Sequence, residues 1–294
     1  MHEEDALLAL LFHSEQSESP AVLRRRFDDG ELPSGVLTNA DGRLFGVDAD
    51  ALIHAASQER EAWAGEGITV LTPFADQYPS QLRTVYDYPL ALFARGHIMN
   101  DRLSAAIVGS REVSPAGLSF ADELAEYLAE DGITVVSGLA RGVDGTAHRA
   151  ALRAGGRTVA VLGNGIRNVY PAEHRELQHQ IAESGLLISQ FRPEMRPTRQ
   201  TFPQRNITMS AYSSVTVIAE ASEKSGTRIQ ANAAVKHARP LVITSQVATS
   251  TTWGQEYSSG GFDVTVVSNA TEARSAVREI LDRDQHALKW LASA

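Results

Sequence analysis

Short apolar segments alternate with amphipathic segments from residue 103 onward, and no other feature constrains the fold of this chain as much. The apolar segments predict strands over residues 103–108, 133–137, 158–162, 186–191, 215–219, 240–244 and 264–267. The amphipathic segments predict helices over residues 115–131, 143–154, 171–184, 226–238 and 270–282. Strands that are apolar throughout and separated by helices form parallel sheets with both faces covered. We therefore predict an α/β fold with a doubly wound, mostly parallel, Rossmann-like sheet.

The first 70 residues have a different pattern, which is polar and helical. It predicts helices over residues 6–12, 21–27 and 48–67. A short strand over residues 68–72 follows, and Tyr78-Pro79 and Tyr88-Pro89 favour extended backbone, because a residue before proline avoids helical angles. We predict three parts: a small helical N-terminal domain over residues 1–70, a connector packed on the main domain over 71–102, and an extended Rossmann-like domain over 103–294.

The composition excludes several classes of protein. With 43% hydrophobic and 21% charged residues, the 294-residue chain has the material for a sizeable globular core. The absence of cysteine excludes disulfides, thiolate zinc sites and cysteine nucleophiles, and it agrees with a reducing cytoplasm. The acidic start predicts no signal peptide, and no apolar run approaches the roughly 20 residues of a membrane span. We predict a cytoplasmic protein that does not enter a membrane.

The net charge of −9 argues against nucleic-acid binding over the whole surface, so such binding would need a local basic patch. The connection over residues 192–213 contains one, because residues 192–206 carry four arginines and one glutamate. Its prolines and polar residues predict a loop of unusual length, which favours a functional segment. Such a loop suits single-stranded DNA, with arginines such as Arg205 on phosphates and Phe202 under a base. The alternative is a solvated loop with Phe202 in the core.

The predicted strands end in residues that suit an anion, and ligands of such sheets bind outside the carboxyl ends of the strands. The first strand ends in Gly109-Ser110-Arg111, and Ser114-Pro115 then predicts a helix start, where free backbone N–H groups attract anions. The later strand ends add Gly138, Arg141, Gly142, Asp144, Gly163, Glu220, Ser225, Gly226 and Thr227.

Structural roles are the alternative for several of these residues. The glycines suit tight backbone turns, and Asp144 suits the N-terminus of the following helix. Arg111 and Arg141 favour a binding role more strongly. They lie at adjacent turns and would repel each other unless an anion lay between them, so we expect both to contact phosphate.

Together these motifs resemble the DNA-processing protein A (DprA/Smf) family, in a nucleotide-binding Rossmann-like group that also contains the lonely-guy phosphoribohydrolases. The resemblance runs from Tyr78-Pro79 to Leu281 through the segments IVGSR, VVSGLARGVDGTAH, VLGNGIRNVYP, FPQRN and EASEKSGT. It implies a protein that binds single-stranded DNA, forms a homodimer and loads the RecA recombinase during DNA uptake and recombination.

The resemblance also implies which residues contact DNA. The positions that match the family's pocket are Gly109, Ser110, Arg111, Gly138, Arg141, Phe202, Arg205 and Asn206, with Gly226 and Thr227 completing it. This chain departs from the family pattern after Asn206, where Ile207 replaces an arginine.

A small-nucleotide sensor or a phosphoribohydrolase-like enzyme, for example in phage defence, is the alternative function. The related hydrolases use a catalytic glutamate in Pro-Gly-Gly-x-Gly-Thr-x-x-Glu, whereas Gln230 stands at that position here. An amide cannot act as a general acid or base, and Glu220 is the only substitute that we identify. Gly163-Asn164-Gly165 lacks the third glycine of a dinucleotide fingerprint, and the nine histidines form no zinc motif. We predict no catalytic residue, no cofactor and no metal.

Overall fold

The computed structural model of the protein describes residues 2–14, 18–38, 43–44 and 47–293. The helices are α1 (Glu3–Phe12), α2 (Pro20–Asp28), α3 (Pro33–Leu37), α4 (Ala49–Gly65), α5 (Pro115–Glu130), α6 (Val143–Arg153), α7 (Arg175–Ser184), α8 (Thr201–Tyr212), α9 (Thr227–Lys236), α10 (Ser245–Ser250), α11 (Thr252–Ser259) and α12 (Ala270–Ser293). The strands are β1 (Arg43–Leu44), β2 (Val47–Asp48), β3 (Thr69–Leu71), β4 (Leu92–Gly96), β5 (Ser104–Gly109), β6 (Thr134–Ser137), β7 (Thr158–Val161), β8 (Leu186–Ser189), β9 (Val215–Glu220), β10 (Leu241–Thr244) and β11 (Val264–Val267).

A nine-stranded sheet with the order β11-β10-β9-β5-β6-β7-β8-β4-β3 organises the molecule. Strands β5 to β11 pair in parallel, β4 pairs antiparallel with β8, and β3 pairs antiparallel with β4. The predicted doubly wound, mostly parallel α/β fold is confirmed. Every predicted strand from residue 103 onward corresponds to one of β5 to β11.

The strand order reverses between β5 and β9. From β5 the chain moves outward through β6, β7 and β8, and then crosses back to place β9 on the other side of β5. The loops after β5 and β9 therefore leave the sheet on opposite faces and open a crevice between them. Ligands of doubly wound sheets bind in such a crevice.

Alternating side chains of the sheet pack into two apolar clusters. Ala105 and Ile107 of β5 pack with α5, α6 and α12 on one face. Ala106 and Val108 point to the other face, in a cluster that includes side chains of α8, α9 and the N-terminal helices. This period of two, with helices over both faces, explains why the strands are apolar throughout.

The N-terminal helices share the second cluster, in which the Trp63 ring lies 5.0 Å from that of Phe93 on β4. Three predicted helices are confirmed as α1, α2 and α4, and the predicted strand over residues 68–72 is confirmed as β3. The segment predicted as a connector supplies β4 to the sheet, in addition to packing on it. The division of the chain into domains stays a prediction.

The prediction of a loop over residues 192–213 is wrong for its second half, which forms α8. Pro203 is the third residue of this helix, where the backbone N–H would have no partner within the helix. The buried face of α8 has helical spacing but polar members, including Thr201, Arg205 and Thr208 beside Met209 and Tyr212. Such a polar face leaves no apolar periodicity in the sequence.

Candidate nucleic-acid interface

A cavity of about 630 Å³ opens at the crevice between β5 and β9. Its walls come from the end of β5, the loop after β9 and the first turns of α8 and α9. It is lined by Val108, Gly109, Ser110, Arg111, Glu112, Ala140, Asp144, Tyr170, Arg199, Phe202, Pro203, Arg205, Asn206, Met209, Ser222, Ser225, Gly226, Thr227, Ile229 and Gln230.

Most of the residues predicted for the site line this cavity. They are Gly109, Ser110, Arg111, Asp144, Phe202, Arg205, Asn206, Ser225, Gly226 and Thr227. The others do not line it: Gly138, Arg141, Gly142, Gly163 and Glu220. Arg199, Tyr170 and Glu112 also line the cavity and were not predicted as site residues, although Arg199 belongs to the arginine-rich segment and could have been found from that signal.

Arg111 makes a cation–π contact with Phe202, which belongs to an aromatic pair at the wall of the cavity. Its guanidinium carbon lies 5.1 Å from the centre of the Phe202 ring, which lies 5.3 Å from the Tyr170 ring. No carboxylate in the described part of the chain pairs with Arg111, so the cation–π contact orients a guanidinium whose N–H groups stay free for a ligand. Phe202 is half-buried, so part of its ring is accessible and it is not fully in the core, as the alternative from the sequence had it.

Arg205 is buried, with 5% of its surface exposed. Its Nη1 donates to the carbonyl oxygens of Gly138 and, at 3.1 Å, Val161, and its Nε donates to Asn206 Oδ1 at 2.9 Å. Burial lowers the pKa of this guanidinium, and the nearby Asp144 carboxylate opposes that shift. Arg205 therefore joins α8 to the ends of β6 and β7, and only its Nη2 lacks a hydrogen-bond partner among the described residues.

Two glycines outside the cavity make room for these side chains. A Cβ at Gly138 would overlap the Arg205 guanidinium. A Cβ at Gly163 would lie 2.6 Å from Cδ1 of Phe202, well inside van der Waals contact. Gly138 and Gly163 thus leave the space that the Arg205 and Phe202 side chains occupy. Gly142, with φ of +73°, lies in the turn before α6. The backbone N–H of the next residue, Val143, donates to the Ser110 carbonyl oxygen at 3.4 Å.

The helix start at Ser114 is confirmed, since the Ser114 side chain accepts a hydrogen bond from Gly117 N–H at 3.1 Å. Its N-terminus is not open to an external anion. The Glu220 carboxylate accepts a hydrogen bond from Ser114 N–H at 3.0 Å and another from the Ser114 hydroxyl. The anion that the sequence analysis expected at this helix is therefore a carboxylate of the same chain, and Glu220 faces α5.

Arg141 has a similar internal partner. Its Nε and Nη2 both donate to the Glu173 carboxylate, the second at 2.8 Å. These hydrogen bonds lower the pKa of Glu173 to about 2. Glu173 therefore offsets the charge of Arg141 within the chain, and the contact of Arg141 with phosphate stays a prediction.

Asp144 and the loop after β9 complete the polar wall. Asp144 Oδ2 accepts hydrogen bonds from the N–H groups of Gly138 at 3.2 Å and Ala140 at 3.3 Å, while burial raises the pKa of its carboxyl. In the loop, Ser225 Oγ donates to Thr227 Oγ1 at 2.7 Å and accepts from Thr227 N–H at 3.1 Å. A Cβ at Gly226 would meet no atom of the described residues within 4 Å, so this side of the cavity is open.

The arginine-rich segment contributes less charge to the cavity than its sequence implies. Arg192 pairs with Glu59 and Glu194, and Arg205 is buried. Arg196 and Arg199 are exposed, without an ion-pair partner among the described residues, and Arg199 alone of these two lines the cavity. Arg111 and Arg199 are therefore the exposed cations of the site, while Glu112 is an exposed acid beside them.

Ser210, His237 and Asp87 form a hydrogen-bonded chain that has the residue types of a catalytic triad. His237 Nδ1 lies 3.0 Å from Ser210 Oγ, and its Nε2 lies 2.8 Å from Asp87 Oδ1. Ser210 is fully buried and none of the three lines the cavity. A hydroxyl that no substrate can reach is not a nucleophile, so this cluster serves to join α8, α9 and the segment before β4.

A metal site and a membrane-spanning helix are not found within residues 2–14, 18–38, 43–44 and 47–293. No three His, Asp or Glu side chains there lie close enough together to hold a metal ion. No helix in that part of the chain has the length and apolar character needed to cross a membrane.

The part of the chain that matches known proteins includes all nine strands of the sheet. The family model of DNA recombination-mediator protein A matches residues 69–275. DNA processing protein DprA of Bacillus subtilis is 34% identical over 182 residues, which cover 61% of this chain and 61% of that protein. Protein Smf of Escherichia coli is 34% identical over 221 residues, covering 74% of this chain and 57% of that protein. The matched part of the chain thus spans less than two thirds of each of these relatives.

Two solved structures are similar over most of their length. The X-ray structure of DNA processing protein A from Streptococcus pneumoniae has a TM-score of 0.65 and 25% identity, with 92% of each chain covered. A structure of DNA processing protein A from Helicobacter pylori, concerned with its single-stranded DNA binding mode, has a TM-score of 0.64 and 26% identity. That comparison covers 72% of this chain and 96% of the other.

Proposed function

This chain belongs to the DNA recombination-mediator protein A family, and on that premise we propose that it binds single-stranded DNA in the cavity between β5 and β9. The relative from Helicobacter pylori, whose structure concerns single-stranded DNA binding, supports this ligand class. The proposed contacts are the residues that line the cavity, with Gly138 and Gly163 supporting them. We propose a binding function without a chemical step.

The stack of Arg111 on Phe202 is the observation that carries the proposal. Single-stranded nucleic acids are bound by cations that follow the phosphates and by aromatic rings that stack on bases. Arg111 offers the first and the Phe202–Tyr170 pair offers the second, next to each other. Arg199 adds a second exposed cation on the same cavity, so two phosphates of one strand could be neutralised in an otherwise acidic protein.

Equilibrium binding of a fluorescently labelled oligonucleotide tests the proposal. We expect the wild-type chain to bind the single strand and Arg111→Ala to weaken binding about tenfold or more, since a hydrogen bond to a charged group contributes on the order of 1.5–3 kcal/mol. Circular dichroism establishes that the variant is folded. Unchanged affinity in a folded Arg111→Ala protein would overturn the assignment of this cavity.

Family membership also supports a wider role. We propose that a homodimer passes the bound strand to a RecA-class recombinase in the cytoplasm. Strand exchange by the recombinase on DNA coated with single-strand-binding protein measures this step, with and without the chain. Acceleration by the wild type but not by Arg111→Ala is the expected result.

A small nucleotide is the second candidate ligand, because the cavity volume is within the range of small-molecule sites. Gln230, at the position of the hydrolases' glutamate, lines the cavity and is 1% exposed. Its amide gives no general acid or base, which favours a sensor over an enzyme. If mononucleotides raise the melting temperature and displace no labelled strand, the sensor is the better assignment.

A further inference from the structure

The N-terminal helices hold the segment that carries Arg199. Residues 190–200 run from the end of β8 to the start of α8, and Arg192 lies near their beginning. The Arg192 guanidinium donates to the Glu59 carboxylate of α4 and lies 5.1 Å and 5.8 Å from the ring centres of Phe12 and Trp63. One side chain of the segment, with 33% of its surface still exposed, thus contacts one acid and two aromatic rings of α1 and α4.

Backbone hydrogen bonds fix the residues that follow Arg192 in the segment. The Arg192 carbonyl accepts from Met195 N–H at 2.9 Å, and the Met195 carbonyl accepts from Gly165 N–H at 2.7 Å. Thr198 and Thr201 then close the turn into α8, with Thr201 Oγ1 accepting from Thr198 N–H at 3.1 Å. Arg199 lies inside that turn, exposed and without an ion-pair partner in the described part of the chain, so its position at the cavity depends on the backbone on either side.

We infer that Glu59 is a positioning residue, which holds Arg199 at the cavity through Arg192 and so couples the N-terminal helices to DNA binding. The inference rests on the proposed function. It assigns α1 and α4 a role in binding although no residue of either helix lines the cavity. The physical reason is entropic: an exposed arginine on a free loop loses backbone freedom when it binds, whereas one on a held segment has lost it already.

Glu59→Gln tests this inference, because the expected change in DNA affinity is opposite to the change that net charge alone predicts. Removing an acid from a protein of net charge −9 ordinarily favours binding to a polyanion. We expect the reverse for Glu59→Gln, a loss of about three- to tenfold in affinity for a labelled single-stranded oligonucleotide, with a salt slope smaller by about 0.7, as for one lost phosphate contact. Glu61→Gln is the matched control on the same helix, since Glu61 is exposed and makes no ion pair among the described residues. It should bind at least as tightly as the wild type.

The double variant Glu59→Gln with Arg199→Ala separates positioning from general destabilisation. If Glu59 acts through Arg199, the double variant binds as weakly as Arg199→Ala alone. Additive losses, or a Glu59→Gln protein that binds like Glu61→Gln, would overturn the inference. Hydrogen exchange of residues 192–200, which should rise in Glu59→Gln while the sheet stays protected, gives a readout without DNA. If the wild type itself shows no salt-dependent binding, the proposed function fails and the positioning role fails with it.

Discussion

Arg205 occupies the space that a side chain at residue 138 would fill. Its Nη1 donates to the Gly138 carbonyl oxygen, and a Cβ built on Gly138 would lie 2.7 Å from its Nη2 as well as overlapping Nη1. One buried guanidinium therefore depends on one glycine, and through them α8 is joined to the end of β6. The cavity residues Phe202 and Asn206 lie on the same helix, so their placement depends on this contact.

Gly138→Ala tests that dependence. We expect the free energy of unfolding to fall by about 1–3 kcal/mol, because the added methyl group overpacks a buried site whose neighbour is backbone-bonded. Urea denaturation measures the change. Gly226→Ala is the control, at a glycine that lines the cavity, with an ordinary φ of −58° and no atom of the described residues within 4 Å of the new Cβ, and should stay within about 0.5 kcal/mol of the wild type. Equal effects of the two substitutions would contradict the account of Gly138.

Arg111→Ala should weaken single-strand binding more than Arg141→Ala, because Arg141 has an ion-pair partner within the chain. Arg141 is bound to Glu173, and its side chain is 64% exposed, so its removal takes away one positive charge that the same chain already offsets. We expect Arg141→Ala to weaken single-strand binding less than threefold, against about tenfold for Arg111→Ala. Fluorescence anisotropy at one salt concentration compares them. A larger loss for Arg141→Ala would mean that DNA displaces Glu173.

Glu112→Gln should tighten DNA binding. Glu112 is exposed on the cavity wall next to Arg111 and has no ion-pair partner among the described residues, so its carboxylate repels a phosphate held by Arg111. A gain of about two- to threefold is expected at low salt, shrinking as salt screens the repulsion. Glu126→Gln, which removes an exposed acid of α5 outside the cavity, is the control. A gain of the same size in both variants would mean that only net charge matters.

The buried imidazole of His148 should lower the free energy of unfolding as the pH falls below about 6.5. Burial lowers its pKa to about 3, and its Nδ1–H donates at 2.7 Å to the Thr158 hydroxyl, which itself donates to the Val135 carbonyl. Between the ordinary value of 6.5 and about 3, the unfolded chain binds a proton that the folded chain does not. The unfolding free energy therefore falls with falling pH, by at most about 1.4 kcal/mol per pH unit.

His148→Asn keeps an N–H donor near Thr158 and removes the titration. Urea denaturation at about pH 7 and about pH 5 should then show a smaller loss for the variant than for the wild type. Parallel losses in the two proteins would mean that other groups cause the acid sensitivity.

The fold could be predicted from the sequence because its strands are short, apolar and separated by amphipathic helices, a pattern that local residues determine. The parts that could not be predicted depend on pairs distant in sequence. Glu220 meets Ser114, and Arg141 meets Glu173, only because the sheet brings their turns together. For the same reason the glycine at residue 138 looked like a turn residue, whereas its role is to admit Arg205. Helix α8 escaped prediction because its buried face is polar.

The salt dependence of single-strand binding tests the central claim most directly. If Arg111 and Arg199 each neutralise a phosphate, a plot of the logarithm of the binding constant against that of salt concentration should have a slope of about −1.4 or steeper. The slope should become shallower by about 0.7 in Arg111→Ala. A wild-type slope near zero, or one that Arg111→Ala leaves unchanged, would contradict the claim that this cavity binds the phosphates of a DNA strand.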